Sequence, residues 1–452
     1  MVAAGGAADD GALAGAGRLD AAAAARLLAA DWQPWHCYSV SRGWLAREEG
    51  QLWQPDDKAL WLRARIHGAL EAAKKTDRRG LRTDHIEREL EPLLAYRGEW
   101  DANPAVAGVA DPDADHWRVQ LLDEGMGYDG MPTFEDRVSR VLGYVPEAGT
   151  PAHFLRLLDH IAPDAAEADW LMSWCGYCLT GHTREHCFVF LHGPGGGGKT
   201  VLLVVMRRVL GSYAVGIPDD VLVTKAARHR EWLARLAGAR LAVVPELPAG
   251  TWAHLGTLKA LVSGDPQTAN YMRRGSFDFT PVAKLMIAGN SKPSLPRTDS
   301  GFQRRMRLIP VPAVPPADRD PRFLDKLHAE GPQIAALFID AARDYLANGL
   351  PPTPQRWQAA SDDYHADEDT IGQWWADHIT AEAGSFAPIA DLADRLTHDT
   401  GRKHTTTQIR EWAAENAPGV NEARRRVNGH ANARPGFDGI ALRQTGTLTE
   451  AP

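Results

Sequence analysis

Residues 187–211 join a short apolar run, a glycine-rich turn and a second apolar run, and this segment restricts the fold strongly. The first run, CFVFLHG, has the composition of a buried strand, and TVLLVVMRRVLG after the turn that of a helix. Between them, GPGGGGKT fits the P-loop pattern G-x-x-x-x-G-K-[ST]. Glycines in this setting let backbone N–H groups turn inward and hold phosphate oxygens at the positive end of the helix. The sequence therefore predicts a nucleoside triphosphate site.

The P-loop gives separate roles to its residues. Lys199 is expected to neutralise the outer phosphates, and Thr200 to ligate Mg²⁺. ATP with Mg²⁺ is the expected ligand. The predicted nucleotide-binding residues are Gly193, Pro194, Gly195, Gly196, Gly197, Gly198, Lys199, Thr200 and Val201. Because kinases, GTPases and motors all carry such a loop, the strands that follow must decide between them.

Two further apolar runs end on a polar side chain. RLAVVPE ends at Glu246, and AKLMIAGN ends at Asn290. Strands that alternate with helices predict a parallel sheet, whose ligand lies at the carboxyl ends of its strands. Glu246 is expected to polarise the attacking water or to hold magnesium through water, and Asn290 to sense the γ-phosphate.

Arg304 and Arg305 follow Asn290 closely. An arginine that reaches from here into a neighbouring subunit would stabilise charge in the transition state as an arginine finger. The alternative is a solvated pair on the surface.

The order of these features resembles the phage/plasmid primase-helicase family. The residues that carry the resemblance are the P-loop, Glu246, LKALVSGD, Asn290 and the Arg-Arg pair, within the block 258–312 and its flanks. That family belongs to the superfamily 3 helicases, which share an AAA+-type core. WQPWHCYSVSRGWLAREEGQLWQPDD (32–57) and WCGYCLTG (174–181) are similar to its amino-terminal module.

The resemblance implies roles for single residues. Glu246 is then the Walker B acid, Asn290 sensor 1 and Arg305 the finger. Residues 270–279 would form a hairpin in the channel of a ring, with Arg273 and Arg274 at its turn. Cations there would follow DNA phosphates without reading sequence, and a solvated turn is the alternative. Lys259 belongs to the motif between acid and sensor, and is grouped with the predicted DNA contacts.

Three features depart from the family pattern. Gly197 stands where the family usually has Asn, and Pro245 precedes Glu246, so that only one carboxylate is offered. The chain also leaves no length for a primase domain before the helicase half. Priming is therefore expected from a separate primase or other replication proteins.

The expected fold is an α/β P-loop core of the AAA+ type between a helical amino-terminal module and a winged-helix tail. The predicted domains are an Ala/Gly-rich disordered tail at 1–18, the helical module at 19–181, the core at 182–320, a helical lid at 321–380 and the winged-helix domain at 381–445. Tryptophans between 32 and 61 are interpreted as core anchors, with base stacking as the alternative.

The tail carries a local excess of positive charge. Between 401 and 443 there are eight basic and four acidic residues, although the whole chain has a formal charge of −8. This asymmetry favours DNA binding, with protein docking as the alternative. The predicted contacts are Arg402, Lys403, Arg410, Arg424, Arg425 and Arg426.

Composition limits the cellular setting. No apolar run is long enough to span a bilayer, and the first residues lack a signal-peptide pattern, so a cytoplasmic protein is expected. Cys175, Cys178 and Cys187 invite a zinc interpretation, but their spacing in a helical pattern favours core packing.

The predicted function is an ATP-dependent DNA helicase of superfamily 3. It would work as a ring, expected to be a hexamer, in the replication of a phage, plasmid or other mobile element. Single-stranded DNA would pass through the channel, and duplex DNA would contact the tail. The alternative is an ATP-switched replication initiator or loader without processive unwinding. A small-molecule kinase, which would be a monomer and would ignore DNA, is a weaker alternative, because the hairpin sequence and the position of Arg305 argue against it.

Overall fold

A computed structural model of the chain describes Leu13 and residues 20–39, 43–47, 53–72, 81–95, 101, 106–110, 117–121, 137–223, 231–271, 275–295, 299–401, 403–427 and 432–443. The tail predicted at 1–18 lies, apart from Leu13, outside the described residues. Among the described residues, no helix combines the length and the apolar character needed to cross a bilayer.

The amino-terminal part mixes helices with short strands. Its helices pack around one apolar core and are α1 (Ala21–Trp32), α2 (Leu60–Ala72) and α3 (Thr83–Leu93). Its strands form two antiparallel sheets, one of β1 (His36–Ser39), β2 (Gly43–Ala46) and β3 (Gln54–Pro55), the other of β4 (Val106–Ala110) and β5 (Trp117–Leu121). The module predicted as helical at 19–181 therefore also contains short strands. Strands this short show too few alternations to stand out from helical spacing.

The tryptophans of this part divide between core and surface. Trp32 and Trp53 are each 1% exposed, and an arginine guanidinium lies over each ring. Trp61 is 53% exposed on α2. The core-anchor prediction is confirmed for Trp32 and Trp53 and is wrong for Trp61.

The central part is built on a parallel sheet. In chain order its elements are α4 (Ala152–Ile161), α5 (Ala165–Leu179), β6 (Phe188–His192), α6 (Lys199–Leu210), β7 (Ala214–Gly216), α7 (Glu231–Ala234), β8 (Leu241–Leu247), α8 (Leu255–Ser263), β9 (Gln267–Tyr271), β10 (Gly275–Phe279), β11 (Lys284–Gly289), α9 (Ser300–Gln303) and β12 (Met306–Pro310). The sheet has the order β12-β6-β11-β8-β7, with every pair parallel. All of β11 is buried, as expected for a strand covered on both faces. The predicted parallel α/β sheet is confirmed.

The strand order places the P-loop at a switch point of the sheet. After β6 the chain crosses to the far edge at β7, returns through β8 and β11, and adds β12 on the other side of β6. His192 pairs with Gly289, and Gly289 pairs with Leu247, so that these strands end at the same edge. A crevice outside the carboxyl ends is the expected ligand position at such a switch.

The carboxyl-terminal part begins with helices and ends in a small sheet. Its elements are α10 (Phe323–Ala329), α11 (Gly331–Asn348), α12 (Gln355–Glu368), α13 (Thr370–His378), β13 (Ile379–Pro388), α14 (Ile389–Thr400), α15 (Thr406–Asn416), β14 (Asn421–Arg425) and β15 (Arg434–Leu442). The last strands form an antiparallel sheet of order β13-β15-β14 around a separate apolar core. Thr405 caps α15 and exchanges hydrogen bonds with Gln408, which fixes the start of that helix.

Helices α5, α6 and α11 cover one face of the parallel sheet. Their apolar side chains join those of β6 and β8 in one core. Gly176 allows α5 and α11 to approach closely, because a Cβ there would lie 2.3 Å from the carbonyl carbon of Ala341. Trp170 and Trp174 stack in this layer with ring centroids 5.5 Å apart. The P-loop helix therefore rests on a rigid support.

Candidate functional site

The P-loop turn lies between the end of β6 and the start of α6. Gly196 and Gly198 have φ values of +81° and +89°, which favour glycine. Gly197 is required for another reason, since a Cβ there would lie 2.4 Å from the carbonyl oxygen of Pro312. The segment after β12 packs against the loop at this point. A side chain at 197 would therefore need that segment to move.

Lys199 connects the P-loop to the end of β11. Its ammonium donates to the carbonyl oxygens of Gly193 at 2.6 Å and Pro194 at 2.8 Å, and to Oδ1 of Asn290 at 2.9 Å. The residue is only 6% exposed. Burial lowers the pKa of Lys199, and the charge of Glu246 acts in the opposite direction. The structure thus brings the predicted lysine, sensor amide and acid together.

Glu246 is presented by a strand that is otherwise buried. The first four residues of β8 are buried, whereas Pro245 and Glu246 are exposed at the site edge. Thr200, in the first turn of α6, is exposed as well. Among the described residues, no three His, Cys, Asp or Glu side chains form a metal-binding group. One carboxylate and one hydroxyl suit Mg²⁺, which binds few protein ligands beside substrate phosphates and water.

The two predicted finger arginines have different surroundings. The Arg305 guanidinium donates to the Ser263 hydroxyl at 2.9 Å and to the Gly301 carbonyl at 2.7 Å. Arg304, at the end of α9, is exposed. Arg305 is therefore held against its own chain, and Arg304 is the one directed to solvent.

Lys259 takes part in the same junction. Its ammonium lies 2.9 Å from a carboxylate oxygen of Asp299, with side chains 29% and 7% exposed. Asp299 also caps α9 through the amide of Phe302. The ion pair ties α8 to α9, and the predicted DNA contact of Lys259 remains a prediction.

The described residues of the predicted hairpin belong to two paired strands, and their place in a ring channel remains a prediction. β9 and β10 are antiparallel, with Tyr271 opposite Gly275. On the outer face, Thr268 donates to Asp278 at 2.6 Å. Arg273 and Arg274 lie outside the described residues.

Basic residues of the tail divide into paired and exposed ones. Arg410 binds the carboxylate of Glu422 at 2.9 Å, and Arg425 that of Asp438 at 2.8 Å. The other described residues of the predicted set, Lys403, Arg424 and Arg426, are exposed. Arg402 lies outside the described residues.

The cysteines near the P-loop belong to the core. Cys175, Cys178 and Cys187 are all buried, as predicted. Burial raises the pKa of Cys178 and of Cys187 to about 12, which keeps both thiols protonated.

Sequence reasoning missed two contributors to the site. His192 ends β6 beside the P-loop, where burial, Lys292 and Lys199 lower its pKa. The proline-rich segment 312–321 lines a cavity beside the loop, and Arg319 projects from it. The core boundary predicted at 320 gave this segment no part in the site, because prolines weaken the signal of the strand that precedes it.

Sequence comparisons find viral relatives at low identity. A family described as "Family of unknown function (DUF5906)" matches residues 191–305. A "Putative helicase" of Acanthamoeba polyphaga mimivirus is 26% identical over 42% of this chain and 20% of that protein. A "Putative helicase" of Frog virus 3 is 24% identical over 60% of this chain and 29% of that protein. A "Putative primase" of African swine fever virus is 24% identical over 40% and 20% respectively. The chain thus spans less than a third of each relative.

The fold has a solved counterpart. The apo C-terminal region of NrS-1 superposes with a TM-score of 0.51 at 11% identity, covering 89% of this chain and 95% of that one. At this identity the similarity concerns the fold alone.

Proposed function

We propose that the protein is an ATP-dependent DNA helicase of superfamily 3 that acts as a ring motor in replication of a mobile element. The contact of Lys199 with Asn290 is the observation that carries this proposal. This hydrogen bond joins the P-loop to Asn290, which follows β11. Glu246 of the adjacent strand β8 acts electrostatically on the same lysine. The viral relatives named as helicases support the DNA-directed role.

The nucleotide chemistry follows from the residues at the sheet edge. Backbone N–H groups of 195–198 would bind the β-phosphate, and Lys199 would exchange its carbonyl partners for β- and γ-phosphate oxygens. Thr200 and, through water, Glu246 would hold Mg²⁺, which neutralises phosphate charge when bound. Glu246 would also orient the attacking water, and Asn290 would bind the γ-phosphate.

A neighbouring subunit would complete each site. Because Arg305 is already bonded to Ser263 and Gly301, we assign the trans-acting role to Arg304. Arg305 would position the short α9 segment from which Arg304 projects. A finger that acts in trans lies on a neighbouring subunit, so that this assignment requires an assembly, which we propose to be a hexameric ring.

DNA would contact two parts of the molecule. The hairpin of β9 and β10 would follow single-stranded DNA in the channel, with Arg273 and Arg274 on backbone phosphates. The tail, which we interpret as a winged helix, has two helices followed by a hairpin and would meet duplex DNA through Arg424 and Arg426.

ATP hydrolysis by wild type and Lys199→Ala, with and without single-stranded DNA, tests the proposal. Lys58→Ala is the matched control, since it removes an exposed lysine of the amino-terminal part. We expect DNA-stimulated hydrolysis by a multimer, lost only in Lys199→Ala, and separation of a forked duplex. DNA-stimulated hydrolysis without strand separation would favour the initiator or loader. A monomer that ignores DNA would refute the motor.

A further inference from the structure

A cavity of about 450 Å³ opens beside the P-loop, between α4, the segment 312–321 and α10. Its size lies in the range of small-molecule sites. Gly196, Gly197, Gly198 and Val201 line it, so that it meets the end of the phosphate-binding turn and the first turn of α6. Its apolar walls are formed by Leu157, Val201, Val314, Pro315, Phe323 and Leu324.

The cavity and the P-loop form one unit. The amide of Val314 donates to the carbonyl oxygen of Gly196 at 3.2 Å, which joins the outer wall to the turn. On the opposite wall, Leu157 of α4 lies close to Gly198, since a Cβ added at Gly198 would lie 3.0 Å from Cδ1 of Leu157. A molecule bound to the turn therefore lies directly beside this apolar recess.

The walls of the cavity are held together by polar contacts. Glu330, between α10 and α11, accepts hydrogen bonds from the amides of His153 and Phe154 at 2.9 and 3.0 Å. Although burial alone would raise the pKa of Glu330, these bonds and the His153 ring lower it. His160 Nε2 lies 3.1 Å from the Pro312 carbonyl oxygen and ties α4 to the outer segment. The recess is preformed, which reduces the ordering cost of binding.

Arg319 places a positive charge at the rim of this recess, against the P-loop. Its Nε donates to the Val314 carbonyl at 3.0 Å, which fixes the plane of the guanidinium. A Cβ at Gly196 would lie 2.6 Å from its Nη2, so that the guanidinium covers the outer face of the turn. Asp320, also at the rim, is paired with Lys326 at 2.8 Å.

We propose that this cavity is the nucleoside subsite of the P-loop and that Arg319 binds the nucleotide's phosphates from within the same subunit. The inference rests on the proposed nucleotide binding and adds the residues that hold the base. A flat base buries apolar area between Val314 and Leu157. The arginine fork suits the phosphate oxygens nearest the ribose.

Titration calorimetry with ADP and with inorganic tripolyphosphate tests the nucleoside subsite. Val314→Trp fills the recess, and we expect its affinity for ADP to fall about tenfold or more, with tripolyphosphate binding unchanged. Ala313→Trp is the matched control, because Ala313 is the exposed neighbour that does not line the cavity. Lys199→Ala should weaken both ligands.

The role of Arg319 is tested by a second pair of variants. Arg319→Gln should weaken ADP and tripolyphosphate alike, about tenfold, and Arg319→Lys should recover part of the loss. Arg322→Gln removes an exposed arginine three residues on, outside the cavity, and should change neither affinity. Equal melting temperatures for the two glutamine variants would exclude a folding defect.

The outcomes separate this inference from the proposed function. If Val314→Trp and Arg319→Gln bind both ligands as their controls do, while Lys199→Ala binds neither, the subsite is refuted and the P-loop assignment stands. If wild type binds neither ADP nor tripolyphosphate, the proposed function fails and the subsite fails with it.

Discussion

The indole Nε1 of Trp252 donates a hydrogen bond of 2.8 Å to the hydroxyl of Tyr364, and that hydroxyl donates to the carbonyl of Pro293. Trp252 follows β8, and Pro293 follows Asn290, so that one side chain of α12 joins the exits of two strands that form the site. Glu368, one turn further along α12, accepts from the amide of Leu295 at 2.8 Å. The same helix is followed by α13 and by the antiparallel sheet of the tail.

Tyr364→Phe should therefore destabilise the protein and reduce the stimulation of ATP hydrolysis by DNA. It leaves a buried indole N–H and a buried carbonyl without their partner, which costs about 1–3 kcal/mol. Urea unfolding measures this loss, and hydrolysis with and without DNA measures the coupling. An unchanged unfolding free energy together with unchanged DNA stimulation would show that the hydroxyl is dispensable.

Asn290→Ala should retain nucleotide binding but slow hydrolysis about 10²-fold, because the missing amide acts on charge that develops at the γ-phosphate. Steady-state ATPase assays give kcat, and calorimetry gives the affinity. Ser291→Ala, an exposed change at the next position, is the control. A loss of affinity with unchanged kcat would assign Asn290 to ground-state binding of the nucleotide.

Substitutions of Arg304 and of Arg305 should affect different properties of the protein. Arg304→Ala should fold and assemble normally but lose on the order of 10³-fold in kcat, as expected for a finger. Arg305→Ala should lower the unfolding free energy by about 1–3 kcal/mol, since it leaves Ser263 and the Gly301 carbonyl without their donor. Mixing Arg304→Ala with Lys199→Ala subunits should restore partial activity. If the mixture stays inactive while both variants assemble, Arg304 does not act across a boundary.

Lys284 should make stability depend on pH. Burial lowers its pKa to about 7, below the ordinary 10.5 of an exposed lysine. Between these values the unfolded chain binds the proton and the folded chain does not, so that stability rises with pH. Lys284→Met should remove this dependence of the unfolding free energy on pH. It should also lower the unfolding free energy by a constant amount at every pH, because the carbonyls of Thr180 and Val282 lose their donor. Denaturant unfolding from pH 7 to 10 provides the comparison, and parallel curves would contradict the assignment.

Arg424 and Arg426 should carry duplex binding by the tail. Replacing both with Gln should reduce the slope of log affinity against log salt by up to about 0.9 for each DNA phosphate that these arginines neutralise in the wild type. Arg425→Gln is the matched control, because Asp438 already neutralises that residue. Equal salt slopes for the two proteins would favour the protein-docking alternative for the tail.

The sequence was most informative where several residues obey one local rule. The P-loop has a fixed spacing, and the apolar runs ending at Glu246 and Asn290 are long enough to identify buried strands, so the sheet and its polar edge were predictable. The cap at Thr405 follows such a local rule as well, since capping depends on neighbours in sequence.

What escaped prediction depends on contacts between distant residues. The bond of Arg305 to Ser263 spans 42 positions, and no local pattern indicates which of two adjacent arginines turns inward. The strand β12 lies in a proline-rich run, where prolines weaken the strand signal although an edge strand tolerates them. The strand β13 was missed because its mostly exposed residues lack an apolar alternation.

The close contact between the P-loop and the segment after β12 limits the transfer of this motif to other proteins. A Cβ at Gly193 would lie 2.1 Å from the carbonyl oxygen of Val311, just as one at Gly197 would meet Pro312. The segment after β12, more than a hundred residues downstream, therefore leaves no room for a side chain at either position. GPGGGGKT grafted onto another scaffold should therefore adopt this conformation only if the segment after β12 is grafted with it.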